Sequence, residues 1–368
     1  IDWVMRQHKV SFRHACELLA KEHPALAASG SPAAPAPKLS AGKLRTAQTF
    51  SLESGDQALL DQVIEFYHHT LKSSPEALQY LDSRGLGNME LIERFRLGYA
   101  NRTLAYRLAP KQYKAGAESR AALQRVGILR DSGHEHLNGS IVVPLFQADD
   151  SGDRHVVGAY GRKLLDNLRA GTPKHLYLPG PHRGVLNREG IEGQKEVILC
   201  EALIDALTFW SAGYRNVTSC YGVHGMTDEI LAALKSCGTE RVLIAFDRDE
   251  AGDRGAEAVA KQLTMAGLDV FRLLFPKSED ANSYARAVKP PEKSLGVVIR
   301  SAQWLGNGEK PILTTRCLNS VHQWVDGEEV LPSPRPAAVE SPPASVVALA
   351  PASEPAAPLA ASDLAPPE

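Results

Sequence analysis

The sequence predicts an α/β protein whose second half forms a parallel, Rossmann-like sheet. Two apolar runs, at residues 197–200 and 242–246, have the length and composition of buried strands. Each run is followed by a segment with helical periodicity, and strand and helix alternate as far as residue 274. Alternation of this kind requires parallel strands joined by right-handed crossovers.

The remaining elements follow from periodicity and turn signals. In the first half, helical spacing of apolar residues predicts three helices, at 57–73, 75–84 and 89–95. Residues 141–178 alternate as strands do, and the sequence DDSGD at 149–153 predicts a hairpin turn within them. The second half then predicts, after a strand beginning at 196, the elements helix 202–212, strand 216–220, helix 227–237, strand 241–246, helix 250–266 and strand 269–274.

Acidic residues follow the two apolar runs directly. Glu201 ends the first run, and Asp247 and Asp249 follow the second. Because ligands of such sheets bind at the carboxyl ends of the strands, we expect the three side chains to converge at one edge. Carboxylates this close repel one another unless cations bind them, and their hard oxygens suit Mg²⁺. The alternative is that these acids only cap helices, since Asp and Glu are favoured at helix N-termini.

The order of strand-Glu, then strand-D-x-D with a glycine-containing helix start, resembles the Toprim domain. The flanking motifs narrow the resemblance to the bacterial DnaG-type DNA primases. These motifs occur in the family's order, and they are YLDSRGLGNMELIERFRLGY at 80–99, LQRVGIL at 123–129, IVVPLF at 141–146, VVGAYGRKL at 156–164 and GTPKHLYLPG at 171–180. A lone D-x-D is a weak signal, whereas ordered motifs around it are specific.

The resemblance implies a mixed α+β primase N-terminal subdomain joined to a Toprim domain. The first residues, IDWVMRQHKVSFRHACELLA, resemble the end of a CHC2-type zinc-ribbon module. The family's zinc ligands lie upstream of that segment, so zinc is expected only in the full-length module. Segments rich in Pro and Ala predict a disordered linker and tail. The predicted divisions are a zinc-ribbon remnant 1–23, a linker 24–54, the primase N-terminal subdomain 55–190, the Toprim domain 191–290, a short extension 291–330 and a disordered tail 331–368.

The resemblance also assigns roles to the acidic residues. Glu201, Asp247 and Asp249 become catalytic metal ligands, with Glu201 either a ligand or the general base. Asp280 matches the first acid of the family's D-P-D motif and is a further predicted metal ligand, whereas Asn282 replaces the second acid. Asp205, one helical turn beyond Glu201, is expected behind the metal ligands, as is Asn282. The alternative for residues 280–283 is that they simply open a helix.

Basic residues are expected to bind nucleotide and template. Arg162 and Lys174 match groove residues of the family, and Gly158 and Gly161 are expected to allow close approach of the backbone to the ligand. The family also carries arginines before the strand-P-strand motif. Here that position has His134, His136 and Asn138 instead, so we expect either weak template binding or basic charge supplied from elsewhere. Arg84 and Arg94 are the other basic candidates.

Composition narrows the class of protein. The net charge of −2 excludes a uniformly basic nucleic-acid coat, but not a local basic groove. Five irregularly spaced cysteines predict a reducing, cytoplasmic compartment, and no apolar run is long enough for a membrane helix. The G-x-x-x-x-G-K-[ST] motif of ATPase motors and the G-x-S-x-G motif of hydrolases are absent from the sequence.

The resemblance implies a DNA primase, a nucleotidyltransferase that makes short RNA primers on single-stranded DNA. Its cofactor is Mg²⁺ or Mn²⁺, and its partners are the DNA template, nucleoside triphosphates, the RNA primer and a replicative helicase. No helicase-binding module is recognisable in the sequence. Two alternatives stay open: a metal-dependent Toprim nuclease, and a catalytically decayed primase-like DNA-binding protein of a plasmid or mobile element.

Overall fold

The computed structural model describes residues 55–149, 151–306 and 309–317. Within them the chain forms two sheets, one with the strand order β1-β2-β3-β4 and one with the order β6-β5-β7-β8-β9. The strands are β1 Gly98–Ala100, β2 Ser140–Ala148, β3 Arg154–Lys163, β4 His175–Tyr177, β5 Glu196–Cys200, β6 Val217–Ser219, β7 Arg241–Ala245, β8 Asp269–Arg272 and β9 Gln303–Trp304. The α-helices are α1 Gly55–Lys72, α2 Pro75–Ser83, α3 Met89–Arg94, α4 Lys114–Arg125, α5 Arg188–Ile191, α6 Leu203–Ser211, α7 Asp228–Ser236, α8 Glu250–Met265, α9 Ala281–Ala287 and α10 Pro291–Arg300.

The first sheet is antiparallel and is covered by helix α1. Apolar residues spaced three and four apart along α1 are buried, among them Leu60, Val63 and Ile64, because this face packs on β1 to β3. Pro75 begins α2, where its fixed φ suits the first helical turn. The strands β2 and β3 are joined by the predicted hairpin, in which the Asp149 side chain accepts hydrogen bonds from backbone N–H groups of Ser151 and Asp153.

The second sheet is parallel through β6, β5, β7 and β8. Its strands and helices begin and end within two residues of the predicted positions, so the predicted α/β class with a Rossmann-like sheet is confirmed. Beyond residue 290 the structure adds α10 and the strand β9, which pairs antiparallel with β8. No element is predicted there from the sequence.

One apolar core extends beneath both sheets. It contains residues of α2, α3 and β2 together with the strands of the parallel sheet and helix α6. The edge-to-face contact of Phe95 with Trp210, with ring centroids 5.3 Å apart, is one of the links. The two sheets are therefore held in a fixed relation, which determines how their side chains face each other.

The zinc-ribbon remnant 1–23, the linker 24–54 and the tail 331–368 lie outside the described residues. Nothing in the structure tests the predicted divisions between domains. Among the helices that the structure describes, none is long and apolar enough to cross a membrane.

His155 links the β2–β3 hairpin to helix α1 and gives a pH-dependent contribution to stability. Its Nδ1 lies 3.1 Å from Asp61 Oδ2, and its Nε2 lies 3.2 Å from Asp149 Oδ2. These two hydrogen bonds raise the pKa of His155 above its ordinary 6.5. A raised folded-state pKa means that the stabilisation is complete below pH 6.5 and is lost as the pH rises through the folded value.

We therefore expect the variant His155→Gln to be less stable than the parent at pH 5.5 and equally stable at pH 9. Urea denaturation at the two pH values measures this difference. His69→Gln, which changes an exposed histidine on α1, is the control. A stability difference that is the same at both pH values would contradict the prediction.

Candidate active site

The parallel sheet brings the predicted carboxylates to one edge. Cys200, the last residue of β5, is paired with Ala245, the last of β7, so Glu201 and Asp247 follow adjacent strand ends. The backbone N–H of Asp247 donates to Glu201 Oε2 at 3.4 Å. We call this group of Glu201, Asp247 and Asp249 the acidic edge.

Two of the predicted acids also cap helices. The side chain of Asp249 accepts a hydrogen bond from Gly252 N at 2.7 Å and caps α8. Asp280 accepts from Ser283 N at 2.5 Å and forms a reciprocal capping box at the start of α9. The capping alternative therefore describes the local contacts of these two residues. Since each cap uses one carboxylate oxygen, metal binding by Asp249 and Asp280 stays a prediction.

The acids of this edge act on one another electrostatically. Burial, together with the charges of Glu201, Asp280 and Asp249, raises the pKa of Asp247 to about 7. Burial and the charges of Asp249 and Asp280 likewise raise the pKa of Glu201. Asp205 is buried, and its pKa lies well above the ordinary value because burial disfavours the ionised carboxyl. These carboxyl groups thus lie close enough to repel one another when they are ionised.

The chemistry of this edge fits a hard divalent cation, although no closed cage is formed. Carboxylate oxygens are the ligands that Mg²⁺ prefers, and Mg²⁺ usually keeps several waters and takes only one or two carboxylates. Among the described residues, no three His, Cys, Asp or Glu side chains are arranged to hold a metal ion. A bound cation would nevertheless reduce the repulsion between these carboxylates.

Arg272 lies beneath the acidic edge and is not among the site residues predicted from the sequence. It is buried at the end of β8, and its guanidinium Nη2 donates to the backbone oxygen of Asp247 at 3.0 Å and to Asp253 Oδ1 at 3.1 Å. The charge of Arg272 lowers the pKa of Glu201 and Asp247, in opposition to burial. The sequence feature that points to Arg272 is its position as a lone arginine in the apolar run DVFRLLF. A buried cation there requires specific partners.

Asn282 is buried in a hydrogen-bond network that joins the two halves of the molecule. Its Nδ2 donates to the Arg84 carbonyl oxygen at 2.9 Å and to Thr208 Oγ1 at 2.8 Å, and its backbone N donates to Asp205 Oδ1 at 3.1 Å. Its Oδ1 accepts from Arg84 Nη1 at 3.2 Å. The amide oxygen of Asn282 is therefore already used by Arg84.

We expect Asn282→Asp, which restores the acid of the related motif, to destabilise the protein. The carboxylate cannot donate to the Arg84 carbonyl or to Thr208, and it adds negative charge beside Asp205. We expect the free energy of unfolding to fall by about 2 kcal/mol, the typical cost of leaving buried partners unsatisfied. Asn101→Asp is the control in urea denaturation, because within the described part of the chain Asn101 uses only its side-chain oxygen, as an acceptor for Thr103. Equal effects of the two substitutions would contradict this account.

Cationic side chains of the first sheet lie near Asn282 and Arg84. Arg162 Nη1 lies 2.5 Å from His175 Nε2, and Tyr160 Oη lies 2.6 Å from His175 Nδ1. Burial, followed by the charges of Arg162, Lys174 and Arg84, lowers the pKa of His175 to about 4. His175 is therefore neutral at pH 7, and its surroundings are cationic. The structure brings the predicted residues Arg162 and Lys174 together with Arg84 in one basic group, whereas Arg94 pairs with Glu189 away from it.

The predicted glycines are packed against protein. A Cβ on Gly158 would lie 3.3 Å from the Arg183 carbonyl oxygen, and one on Gly161 would lie 2.9 Å from Leu137 Cδ2. The close approach at both positions is therefore made by neighbouring protein groups in this structure. A direct contact of either glycine with nucleotide stays a prediction.

Basic charge also surrounds the loop 134–139, where the arginines of the related motif are missing. Lys163 Nζ donates to both oxygens of Asn138, and Arg130 Nη2 donates to the His136 carbonyl oxygen at 3.2 Å. Arg102 Nη2 lies 3.6 Å from the position of a Cβ on Gly139. Burial, followed by the charges of Arg102 and Arg130, lowers the pKa of Lys163, which places all three cations in one group.

Comparison with known proteins relates this arrangement to a family. The Toprim-like family matches residues 198–285, which include the whole acidic edge. A DNA primase of Aquifex aeolicus (strain VF5) is 27% identical over 260 residues, which make up 67% of this chain and 49% of that protein. A DNA primase of Geobacillus stearothermophilus is 30% identical over 237 residues, 60% of this chain and 37% of that protein. In sequence the chain is similar to bacterial DNA primases.

Solved primase structures share the fold. The Aquifex aeolicus primase, with its zinc-binding and RNA polymerase domains, superimposes with a TM-score of 0.56 at 24% identity, covering 83% of this chain and 70% of that one. A DnaG primase catalytic domain bound to single-stranded DNA gives a TM-score of 0.55 at 23% identity, covering 69% of this chain and 80% of that one. The chain itself spans less than half the length of the two sequence relatives.

Proposed function

We propose that this chain is the catalytic core of a DNA primase, a template-dependent nucleotidyltransferase that synthesises short RNA primers on single-stranded DNA. The observation that carries the proposal is the link between the basic group and the acidic edge. The hydrogen bonds Arg84–Asn282–Asp205 reach Asp205, on which the charges of Asp247 and Glu201 act. Joining a 3′-hydroxyl to a nucleoside triphosphate requires both kinds of group at one place. The sequence relatives support the reaction class, since they are DNA primases.

A divalent cation, Mg²⁺ or Mn²⁺, would be held by Glu201, Asp247 and Asp249, with Asp280 beside them. When bound, such a cation assists deprotonation of the attacking hydroxyl and departure of pyrophosphate. Glu201 either contributes to cation binding or accepts the hydroxyl proton, because it lies next to Asp247 at the neighbouring strand end. Arg272 holds the backbone of Asp247 in place from below.

The basic group would bind the triphosphate. Arg162 and Arg84 are half-buried, and a guanidinium makes paired hydrogen bonds to phosphate oxygens. Arg162 Nε is buried and has no hydrogen-bond partner among the described residues, so one donor of this guanidinium is unsatisfied. Lys174 is paired with Asp166 at the surface, and phosphate would compete with that carboxylate.

The cations around the loop 134–139 would bind the template backbone. Arg102, Arg130 and Lys163 supply the positive charge that the arginines of the related motif supply elsewhere in the family. Exposed Arg102 and Arg130 are accessible to a strand, and phosphate contacts of this kind make affinity fall with salt. A replicative helicase as partner stays a prediction that rests on the resemblance alone.

Synthesis of labelled RNA tests the proposal. The chain is incubated with a single-stranded DNA circle, labelled nucleoside triphosphates and Mg²⁺ or Mn²⁺, and products are separated by length. The proposal requires short, alkali-labile oligomers that depend on the DNA. Shortened DNA without oligomers would instead indicate the nuclease. DNA binding with neither product would indicate the decayed relative.

We expect Arg102→Gln combined with Arg130→Gln to weaken single-stranded DNA binding and to reduce its salt dependence. Each lost phosphate contact lowers the slope of log K against log[salt] by about 0.7 for single strands. Fluorescence anisotropy with a labelled oligonucleotide at several salt concentrations measures both quantities. Lys111→Gln combined with Lys114→Gln removes the same charge from the exposed start of α4 and serves as the control. Identical slopes for the two double variants would contradict a specific role for the loop.

A further inference from the structure

Three aromatic rings form a cluster beside the acidic edge. His182 stacks on Tyr221 with ring centroids 4.5 Å apart and planes 6° from parallel. Tyr177 contacts both rings edge-on, at 4.6 Å from His182 and 5.6 Å from Tyr221. We call His182 and Tyr221 the stacked pair. Neither the primase motifs nor the predicted site residues include it.

The stacked pair lies at the catalytic end of the parallel sheet. Tyr221 follows the end of β6. The backbone N–H groups of its two sequence neighbours form hydrogen bonds with the end of β5. Cys220 N donates to the Cys200 carbonyl oxygen at 2.8 Å, and Gly222 N donates to the Glu201 carbonyl oxygen at 3.0 Å. The backbone of Tyr221 is therefore fixed directly next to Glu201.

The pair is rigid on one side and accessible on the other. The Tyr221 hydroxyl donates to the carbonyl oxygens of Arg183 and Gly184, at 2.7 and 2.6 Å, and Tyr221 itself is buried. His182 is exposed, and its ring makes no hydrogen bond within the described part of the chain. Burial against its neighbours lowers the pKa of His182, so the ring is neutral at pH 7. A neutral aromatic ring held on a fixed support is suited to stacking.

The cluster is also continuous with the basic group. Tyr177 lies 5.2 Å from Tyr160 between ring centroids, and the Tyr160 hydroxyl contacts His175, which contacts Arg162. The stacked pair is therefore linked to Arg162 through ring contacts, and a ligand with both an aromatic ring and phosphates offers a partner to each. Nucleotides have this composition.

We propose that the stacked pair is a platform on which a nucleobase stacks through the exposed His182 ring. The inference rests on the proposed function, because it concerns the same nucleotide site. Stacking is tolerant of base identity, since every base has a π-face. The nucleobase belongs either to the incoming nucleoside triphosphate or to the template strand, and the experiment separates these sources.

Binding measurements with His182→Ala and His182→Phe test the platform. In Mg²⁺ buffer, the affinity for ATP and the affinity for inorganic triphosphate, which has no base, are measured by titration calorimetry. If the base is that of the incoming nucleotide, His182→Ala weakens ATP binding by about ten-fold, as expected for loss of one stacked base. The affinity for inorganic triphosphate stays unchanged, and His182→Phe, which keeps an aromatic face, binds ATP like the parent.

The second arm measures single-stranded DNA binding without nucleotide. If the stacked base is a template base, His182→Ala weakens DNA binding by a similar factor and leaves ATP binding intact. His69→Ala, at an exposed histidine on α1, is the control in both arms. Because neither arm requires catalysis, a chain that binds ATP through His182 but makes no primers would refute the proposed function while supporting the platform. Unchanged affinities for ATP and DNA in His182→Ala, or equal loss of ATP and inorganic triphosphate binding, would overturn the platform.

Discussion

Replacement of Asp247 by asparagine is expected to abolish primer synthesis while leaving the fold intact. Asp247 lies at the centre of the acidic edge, where burial and the charges of Glu201, Asp280 and Asp249 all act on it. Asparagine has the same shape but no charge to attract a cation. Because a catalytic cation contributes several kcal/mol to transition-state stabilisation, we expect the rate to fall by about 1000-fold or more.

The rate of labelled nucleotide incorporation at saturating Mg²⁺ measures this loss. Removing one of several repelling carboxylates relieves like-charge repulsion, so the variant should be at least as stable as the parent in urea. Glu250→Gln is the matched control. Glu250 lies three residues after Asp247, is exposed and pairs with Arg254. Wild-type activity in Asp247→Asn, or equal losses in the two variants, would refute the role of the acidic edge.

The second large effect is expected for Arg272→Met, which removes the cation beneath that edge. The substitution keeps most of the buried stem but leaves the Asp247 carbonyl oxygen without its side-chain donor, and it leaves Asp253 paired with Arg248 alone. Loss of a buried, hydrogen-bonded charge that supports a site should reduce the free energy of unfolding by about 2–3 kcal/mol. Misplacement of the Asp247 backbone should lower the rate by about 10- to 100-fold, as for supporting partners of metal sites.

Urea denaturation and nucleotide incorporation at several Mg²⁺ concentrations measure the two effects. A positioning role predicts that part of the lost activity returns at high Mg²⁺, whereas a purely structural role does not. Arg254→Met is the control, because Arg254 is exposed and its ion pair with Glu250 contributes little. An Arg272→Met enzyme with unchanged Mg²⁺ dependence would contradict the positioning role.

Much of the fold and of the acidic edge could be predicted because each depends on local sequence. Buried parallel strands appear as short apolar runs, and the residues that follow them must meet at one edge. Glu201 and Asp247 therefore follow from pattern alone, as does the helix that Asp249 caps. The hairpin at 149–153 is equally local.

The rest depends on partners that are remote in the sequence. Arg84 and Asn282 are 198 residues apart, and no local pattern indicates that the amide of one satisfies the guanidinium of the other. The strand β9 is only two residues long, which is too short to show the alternation of apolar and polar residues that predicts a strand. The stacked pair joins a loop before the parallel sheet to the end of β6, and the burial of Arg272 depends on how β8 packs. Such contacts require the three-dimensional arrangement.

Extension of an annealed RNA primer isolates the acidic edge's role in polymerisation, because it requires template-dependent nucleotide addition without any initiation signal. A labelled RNA oligomer is annealed to a DNA strand with a single-base overhang, and each nucleoside triphosphate is supplied separately with Mn²⁺. We expect the parent to add only the complementary ribonucleotide and Asp247→Asn to add none. Addition regardless of the template base, cleavage of the DNA, or equal extension by the two proteins would contradict it.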